Sequence, residues 1–217
     1  MKQLDLSLLA LQRWLRKSPL FYRLAVGTRI LLAVGFIPTG LVKLLGLRFT
    51  QMNPATPLGG LFETLYQSGL YWKFLGVSQI IAGVLLLVPA ARTLGALLFA
   101  PIIANIFIIT LSYDFHGTPV LTAQMVLAIL FLLAWDYDRL RPLVGAAPRP
   151  ADFPRHRLSS VERAVYVGGA LAGLAFFTAV RGLFLPGASM LWLLGACAGC
   201  ALLAVGIGLA RALLGRA

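Results

Sequence analysis

Residues 113–124, YDFHGTPVLTAQ, hold an acid, a histidine and a glutamine between two long apolar runs. An imidazole titrates near neutral pH, so His116 beside Asp114 has the chemistry to move a proton to or from a bound molecule. Polar groups next to hydrocarbon, such as Gln124, are functional candidates because burying them without a partner is costly. Alternatively, residues 113–124 have no function beyond forming a turn between two helices, since Gly117-Thr-Pro is typical of a turn.

Two more amides lie within the apolar runs. Gln79 stands between Gly76 and Gly83 at helical spacing, which predicts a close-packing helix face that carries one amide. Asn105 lies in the next run, and with Gln124 the three amides are expected to converge inside a helix bundle. They would either hydrogen-bond between helices or line a pocket for a small polar or quinone-like headgroup.

The cations of the apolar runs allow two interpretations. Arg29 and Lys43 are 14 residues apart and therefore share a helix face. Either both extend to opposite headgroup layers, or Lys43 points inward and meets Glu63. Lys73 is expected to form an ion pair with Glu63 or Asp114 at the mouth of the pocket.

Cys197 and Cys200 form a C-x-x-C motif in an apolar segment. A redox dithiol needs access and a lowered thiol pKa, whereas the all-small flank GACAGCA is typical of tight helix packing. Neither histidine, His116 or His156, lies in an apolar run, and the two are expected on opposite sides of the membrane. The sequence predicts no haem and no metal, and it contains no phosphate-binding loop, serine nucleophile elbow or H-E-x-x-H motif.

The elements that position these residues are transmembrane helices. The 217 residues are 59% hydrophobic and 12% charged, and a soluble domain carries roughly twice that charged fraction. A span needs about 20 apolar residues. Six spans are predicted: 24–45, 70–90, 93–112, 118–136, 163–184 and 188–210.

The basic residues predict the orientation of these spans. With alternating spans, 15 of the 19 lysines and arginines fall on one side, and only Lys43, Arg48, Lys73 and Arg181 fall on the other. Basic loops stay in the cytoplasm, so both termini are expected there, in a bacterial inner membrane. The net charge of +12 then reflects topology and contact with the anionic lipid bilayer, and no nucleic acid is expected.

The first 22 residues predict a helix on the membrane surface. Leu4, Leu8, Leu11 and Leu15 recur at helical spacing, with Gln12, Arg13 and Arg16 on other faces. This pattern is typical of a basic amphipathic helix. The alternative is a frayed cytoplasmic tail.

Three stretches taken in order resemble the DoxX family of small bacterial membrane proteins. They are RILLAVGFIPTGLVKLLG (29–46), the helix pair around PAARTLG within 65–112, and GTPVLTAQMVLAILFLLAWDYDRLRPLV (117–144). The resemblance implies a four-helix transmembrane bundle over 23–144. A basic Pro-rich linker (145–162) and a two-helix hairpin (163–217) then follow, and the hairpin is absent from the typical short member.

The resemblance also implies a choice of functions. Some members are subunits of thiosulfate:quinone oxidoreductases or are linked to other membrane redox complexes, and a distant animal relative is a receptor-assembly chaperone. The architecture resembles the vitamin K epoxide reductase group as well. Residues 1–196 contain no cysteine, which argues against carrying that dithiol chemistry over to this bundle.

We therefore expect an all-α membrane protein and weigh three functions. The first is a redox-associated accessory subunit that binds a quinone or another small lipophile in the outer half of the bundle. The second is a non-catalytic assembly or scaffold protein whose partner is another membrane or periplasmic protein or a second copy. The third is a small transporter that acts as an oligomer. The ligand-binding residues predicted for the first function are Lys43, Glu63, Lys73, Gln79, Asn105, Asp114, His116 and Gln124.

Overall fold

A computed structural model describes residues 2–113, 115, 117–146, 153–154 and 156–180, and residues 199–200, 202–204, 206–207 and 210 of the last segment. The regular structure of these residues is helical. The helices are α1 (Lys2–Lys17), α2 (Pro19–Leu44), α3 (Pro57–Gln67), α4 (Leu70–Leu87), α5 (Arg92–Ser112), α6 (Thr118–Trp135), α7 (Tyr137–Leu140) and α8 (Ser160–Val180), with a 3-10 turn at Arg141–Val144.

Five of these helices are long and apolar enough to cross a membrane: α2, α4, α5, α6 and α8. They correspond to the first five predicted spans, so the chain is an all-α multi-pass membrane protein. Most of the sixth predicted span, 188–210, lies outside the described residues.

Local sequence signals determine where the helices begin. Ser18 caps α2 by accepting a hydrogen bond from the Leu20 amide, and Thr56 caps α3 in the same way. A proline follows each cap at the first helical position, where its missing N–H costs nothing. Gly117 precedes α6 with φ +72°, a backbone conformation that glycine adopts readily. The predicted turn before α6 is thus present.

The bundle is built around α2, which packs most extensively on α4 and also contacts α6 and α8. The α2–α4 contact is close because two glycines face each other. A Cβ on Gly76 would lie 2.6 Å from the Gly40 carbonyl oxygen. The predicted packing face of Gly76, Gln79 and Gly83 is therefore confirmed. Phe36 and Phe99 stack in the core with centroids 3.8 Å apart.

The N-terminal helix is present and exposes apolar side chains, but one polar residue, Gln12, lies against the bundle. Gln12 is fully buried, while Leu4 and Leu11 are exposed. The reason is tertiary: α1 lies across the ends of α6 and α7, where the Gln12 side-chain amide donates to the Trp135 carbonyl oxygen at 3.0 Å. We call this the α1 end of the bundle, and the opposite end, which carries α3, the α3 end.

Candidate functional site

The most concentrated polar chemistry of the described residues lies at the α1 end. Asp136 directly follows α6 and is 3% exposed. Arg16 from α1, Arg29 from α2 and Arg92, the first residue of α5, surround its carboxylate. We call these three arginines and Asp136 the arginine cluster. Four elements far apart in sequence thus meet at one buried charge.

The bonds within the arginine cluster are unequal. Arg92 Nε and Nη2 lie 2.8 and 2.9 Å from Asp136 Oδ2 and Oδ1. Arg16 Nη2 donates to Oδ1 at 2.9 Å, and the Thr93 hydroxyl donates to Oδ2 at 3.2 Å. Arg29 Nη2 is 3.7 Å from Oδ2, which is an ion-pair distance but too long for a hydrogen bond. Arg29 is thus the weakly attached member.

Arg16 joins this cluster to the surrounding aromatic rings. Its guanidinium lies 4.8 Å from the Trp135 ring centroid and 4.9 Å from that of Phe153, within cation–π range. Burial lowers the pKa of Arg16, and the neighbouring Asp136 acts in the opposite direction. The carboxylate and the rings therefore hold a desolvated cation in place.

Two further ion pairs attach the peripheral helices at this end. Asp5 of α1 accepts bonds from Arg141 and from the Tyr137 hydroxyl, each at 3.0 Å. Arg23 of α2 donates to Glu162 of α8 at 2.7 Å. These pairs are buried or partly buried, and their geometry indicates a role in holding α1 and α8 on the bundle.

At the α3 end, Lys43 lies in an aromatic environment. Its Nζ is 4.5 Å from the Phe49 ring centroid and 5.2 Å from that of Trp72, and it donates to the Thr39 carbonyl oxygen at 3.3 Å. Lys43 and Arg29 are both buried, so the predicted shared face of α2 is turned into the protein. Neither cation extends over the lipid-facing surface of α2, which argues against the alternative that both reach along it to opposite headgroup layers.

The predicted contact of Lys43 with Glu63 is replaced by another pair. Arg48 binds Glu63 in bidentate geometry, with both N–O distances 2.9 Å, and lies over the Tyr66 ring. This bonding lowers the pKa of Glu63 and raises that of Arg48. Arg48 reaches the carboxylate because both residues lie in the segment between α2 and α4, whereas Lys43 points into the bundle.

The three amides do not converge, contrary to the prediction. Gln79 is buried, but Asn105 and Gln124 are exposed. The side-chain hydrogen bond between α5 and α6 is formed instead by Thr110 and Thr122, whose hydroxyl oxygens are 2.9 Å apart. At about 100° per residue, the two exposed amides lie about 140° and 160° around their helices from those threonines. Both amides therefore lie on outer faces.

The remaining predicted residues are only partly described. Lys73 is exposed, and its expected partner Glu63 is bound by Arg48. Asp114, His116 and Cys197 lie outside the described residues. Cys200 lies beside α8, where a Cβ on Gly169 would be 3.1 Å from the Cys200 Cβ. That proximity agrees with the packing interpretation of Cys200.

The sequence patterns discussed above did not predict the arginine cluster. Arg16, Arg29 and Arg92 were each assigned to the basic side of the membrane, without a partner. One signal was available: Asp136 is an acid directly after an apolar span, at the same membrane side as Arg92. Opposite charges at the ends of neighbouring spans are candidates for a pair.

Comparison with known proteins shows that this chain is similar to an uncharacterized bacterial protein. An uncharacterized protein of Bacillus subtilis (strain 168), YwoB, is 34% identical over 110 residues, which cover 48% of this chain and 71% of that protein. No protein-family profile matches the chain, and no solved structure is significantly similar to it.

Proposed function

The chain belongs to the same family as the uncharacterized protein YwoB, and we propose that it is a non-catalytic membrane protein that acts by associating with other membrane helices. The observation that carries this proposal is the exposure of Asn105 and Gln124 on transmembrane helices. The distribution of lysine and arginine supports a bacterial inner membrane with the α1 end in the cytoplasm.

Both exposed amides lie deep in the apolar part of the bundle. Asn105 is about 10 Å from the end of α5, and Gln124 is about 9 Å from the start of α6, by the rise per residue. Their exposed neighbours on the same faces are apolar, including Ile108 and Leu127. An amide facing lipid loses its hydrogen bonds at considerable cost, so a partner helix would stabilise this surface.

The partner we propose is a second copy of this chain. A carboxamide both donates and accepts hydrogen bonds, so the same amide on a copy related by a two-fold axis is a matched partner. Two-fold interfaces are self-complementary in this way. Asn105 on α5 or Gln124 on α6 would then form a reciprocal bond with its own copy across the interface.

Self-association is tested by replacing both amides with leucine. Each interhelical amide bond contributes roughly 0.6–2 kcal/mol, so Asn105→Leu with Gln124→Leu is expected to weaken dimerisation about tenfold or more. The measurement is energy transfer between labelled copies in vesicles as the protein-to-lipid ratio is varied. Gln51→Leu, an exposed amide outside the spans, is the matched control. Equal dimerisation of all three proteins, or a monomeric wild type, would contradict the proposal.

A redox-associated subunit that binds quinone at the α3 end is the second candidate. It is supported by the buried Lys43 ammonium beside Phe49 and Trp72, since an ammonium donates readily to a quinone carbonyl, and by the resemblance to DoxX proteins. The groove nearby, lined by Arg48, Phe49, Glu63 and Tyr66 among others, has a cavity volume of only about 10 Å³, which is room for about one water molecule. Ligand sites are typically about 300–1,000 Å³, so a quinone would need to widen it.

If a quinone binds at the α3 end, Lys43 should contribute to its affinity and Lys73 should not. Lys43→Met is expected to weaken quinone binding about tenfold by removing a charged hydrogen-bond donor. Lys73→Met, an exposed lysine near the same end, should leave it unchanged. Quenching of tryptophan fluorescence by a short-chain ubiquinone measures the affinity. Equal affinity in the two variants would exclude Lys43 as the donor.

A further inference from the structure

We propose that the arginine cluster at the α1 end binds an anionic oxygen group of the phosphate class through Arg29. This site lies away from Asn105 and Gln124, and the proposal does not depend on self-association. The ligand is either the phosphate of a lipid headgroup or free phosphate, which present the same chemistry to a guanidinium.

The first argument is the balance of charge. The three arginines of the arginine cluster have two acidic neighbours, Asp136 and Asp138, the second of which lies 3.8 Å from Arg16. Three positive charges against two negative ones leave an excess of one positive charge among these groups. Arg29 is 8% exposed, and an uncompensated charge with so little access to water is costly.

The second argument is that the Asp136 carboxylate has no bonding capacity left for Arg29. A carboxylate offers about four lone-pair sites. Arg92 occupies two of them, and Arg16 and Thr93 occupy one each. Arg29 Nη2 is accordingly buried without a hydrogen-bond partner among the described residues. A bound anion would supply the missing acceptor.

The third argument is the match between this donor and a phosphate. A guanidinium presents paired N–H groups that fit the oxygens of a phosphate, and charge-assisted bonds of this kind are the strong ones. The neighbouring α1 exposes Leu4, Leu6 and Trp14, an apolar surface suited to the boundary between headgroups and acyl chains. If α1 lies at this boundary, the arginine cluster behind it is at the depth of the lipid phosphates.

The experiment measures thermal unfolding of the full chain with two phosphate sources. In one arm, delipidated protein in a non-ionic detergent is titrated with inorganic phosphate against sodium chloride of equal ionic strength. In the other, the protein is placed in nanodiscs of phosphatidylcholine with or without phosphatidylglycerol. We expect the unfolding temperature to rise by several degrees at saturating ligand. A rise in the first arm indicates free phosphate, and a rise confined to the second indicates a lipid headgroup.

Variants assign the effect to Arg29. Arg29→Met is expected to weaken the binding of phosphate or phosphatidylglycerol about tenfold or more, because it removes a charged donor. The rise in unfolding temperature at a given ligand concentration should be correspondingly smaller. Arg13→Met, an exposed arginine on α1, should respond as the wild type does. No rise in the wild type in either arm, an unchanged rise in Arg29→Met, or an equal loss in Arg13→Met would overturn the proposal.

A second variant separates binding from folding. Arg29→Lys retains the charge but lacks the planar fork, so we expect a folded protein with a weakened response to phosphate or phosphatidylglycerol. Phospholipid retained per protein after detergent washing, measured by native mass spectrometry, provides a readout that does not depend on unfolding. If the lipid is the ligand, Arg29→Lys should retain less phosphatidylglycerol than Arg13→Met. Equal ligand responses and equal lipid retention in those two variants would also overturn the proposal.

Discussion

Replacing Asp136 with alanine is expected to lower the free energy of unfolding by about 3–5 kcal/mol, the range for removing one partner of a buried ion pair. The carboxylate accepts four bonds, from Arg16, Arg92 and Thr93. Without it, three desolvated arginines would repel one another at the α1 end. The variant should therefore lose the attachment of α1 to the bundle as well as overall stability.

The measurement is reversible unfolding in mixed micelles with increasing denaturing detergent. Asp138→Asn is the matched control: Asp138 lies two residues away, is more exposed and contacts Arg16 at only 3.8 Å. Asparagine also keeps an oxygen that can accept the hydrogen bond from Gln12 Nε2. We expect a loss of about 1 kcal/mol or less for the control. In a double-mutant cycle, Arg29→Met should recover part of the stability that Asp136→Ala loses. Equal losses for the two aspartates would contradict this account of the arginine cluster.

Gly76→Ala is expected to have the second large effect, a loss of about 3 kcal/mol. The added Cβ would lie 2.6 Å from the Gly40 carbonyl oxygen and 2.7 Å from the Leu44 amide nitrogen. Both are backbone atoms of α2, so relief requires α2 and α4 to separate along their whole contact. Since α2 and α4 form the most extensive contact between described elements, the core would loosen with them.

Gly35→Ala is the control for Gly76→Ala. Gly35 also lies in α2, and a Cβ there meets nothing within 4 Å. Alanine has the higher helix propensity, so this variant should be unchanged or up to about 1 kcal/mol more stable. The same unfolding titration measures both variants. If Gly76→Ala were as stable as Gly35→Ala, the close approach of α2 and α4 would not be a source of stability.

The spans were predictable because hydrocarbon sets their length and composition. A helix must supply about 20 apolar residues to cross a bilayer, and turns such as Gly117-Thr-Pro interrupt that pattern visibly. The first five predicted spans accordingly match helices of the structure. The packing face of α4 was predictable for a related reason, since Gly76 and Gly83 recur at helical spacing where backbones approach.

The direction in which each polar side chain points was less predictable. In a soluble helix the polar face marks the outside, but α5 and α6 have no distinct polar face because both lipid and core are apolar. Asn105 and Gln124 were therefore expected inside the bundle and lie outside it. Lys43 was correctly considered as inward-pointing, yet its assigned partner Glu63 binds Arg48.

The sequence by itself determined that this chain is helical, that it crosses a membrane several times and where most of its helices begin and end. These properties depend on local composition, because apolar runs partition into the bilayer and capping residues determine where helices begin. Only the tertiary structure decided which charges meet. The arginine cluster joins Asp136 to arginines that lie 44 to 120 residues earlier in the sequence. No local pattern encodes such contacts, because they depend on how separate helices pack.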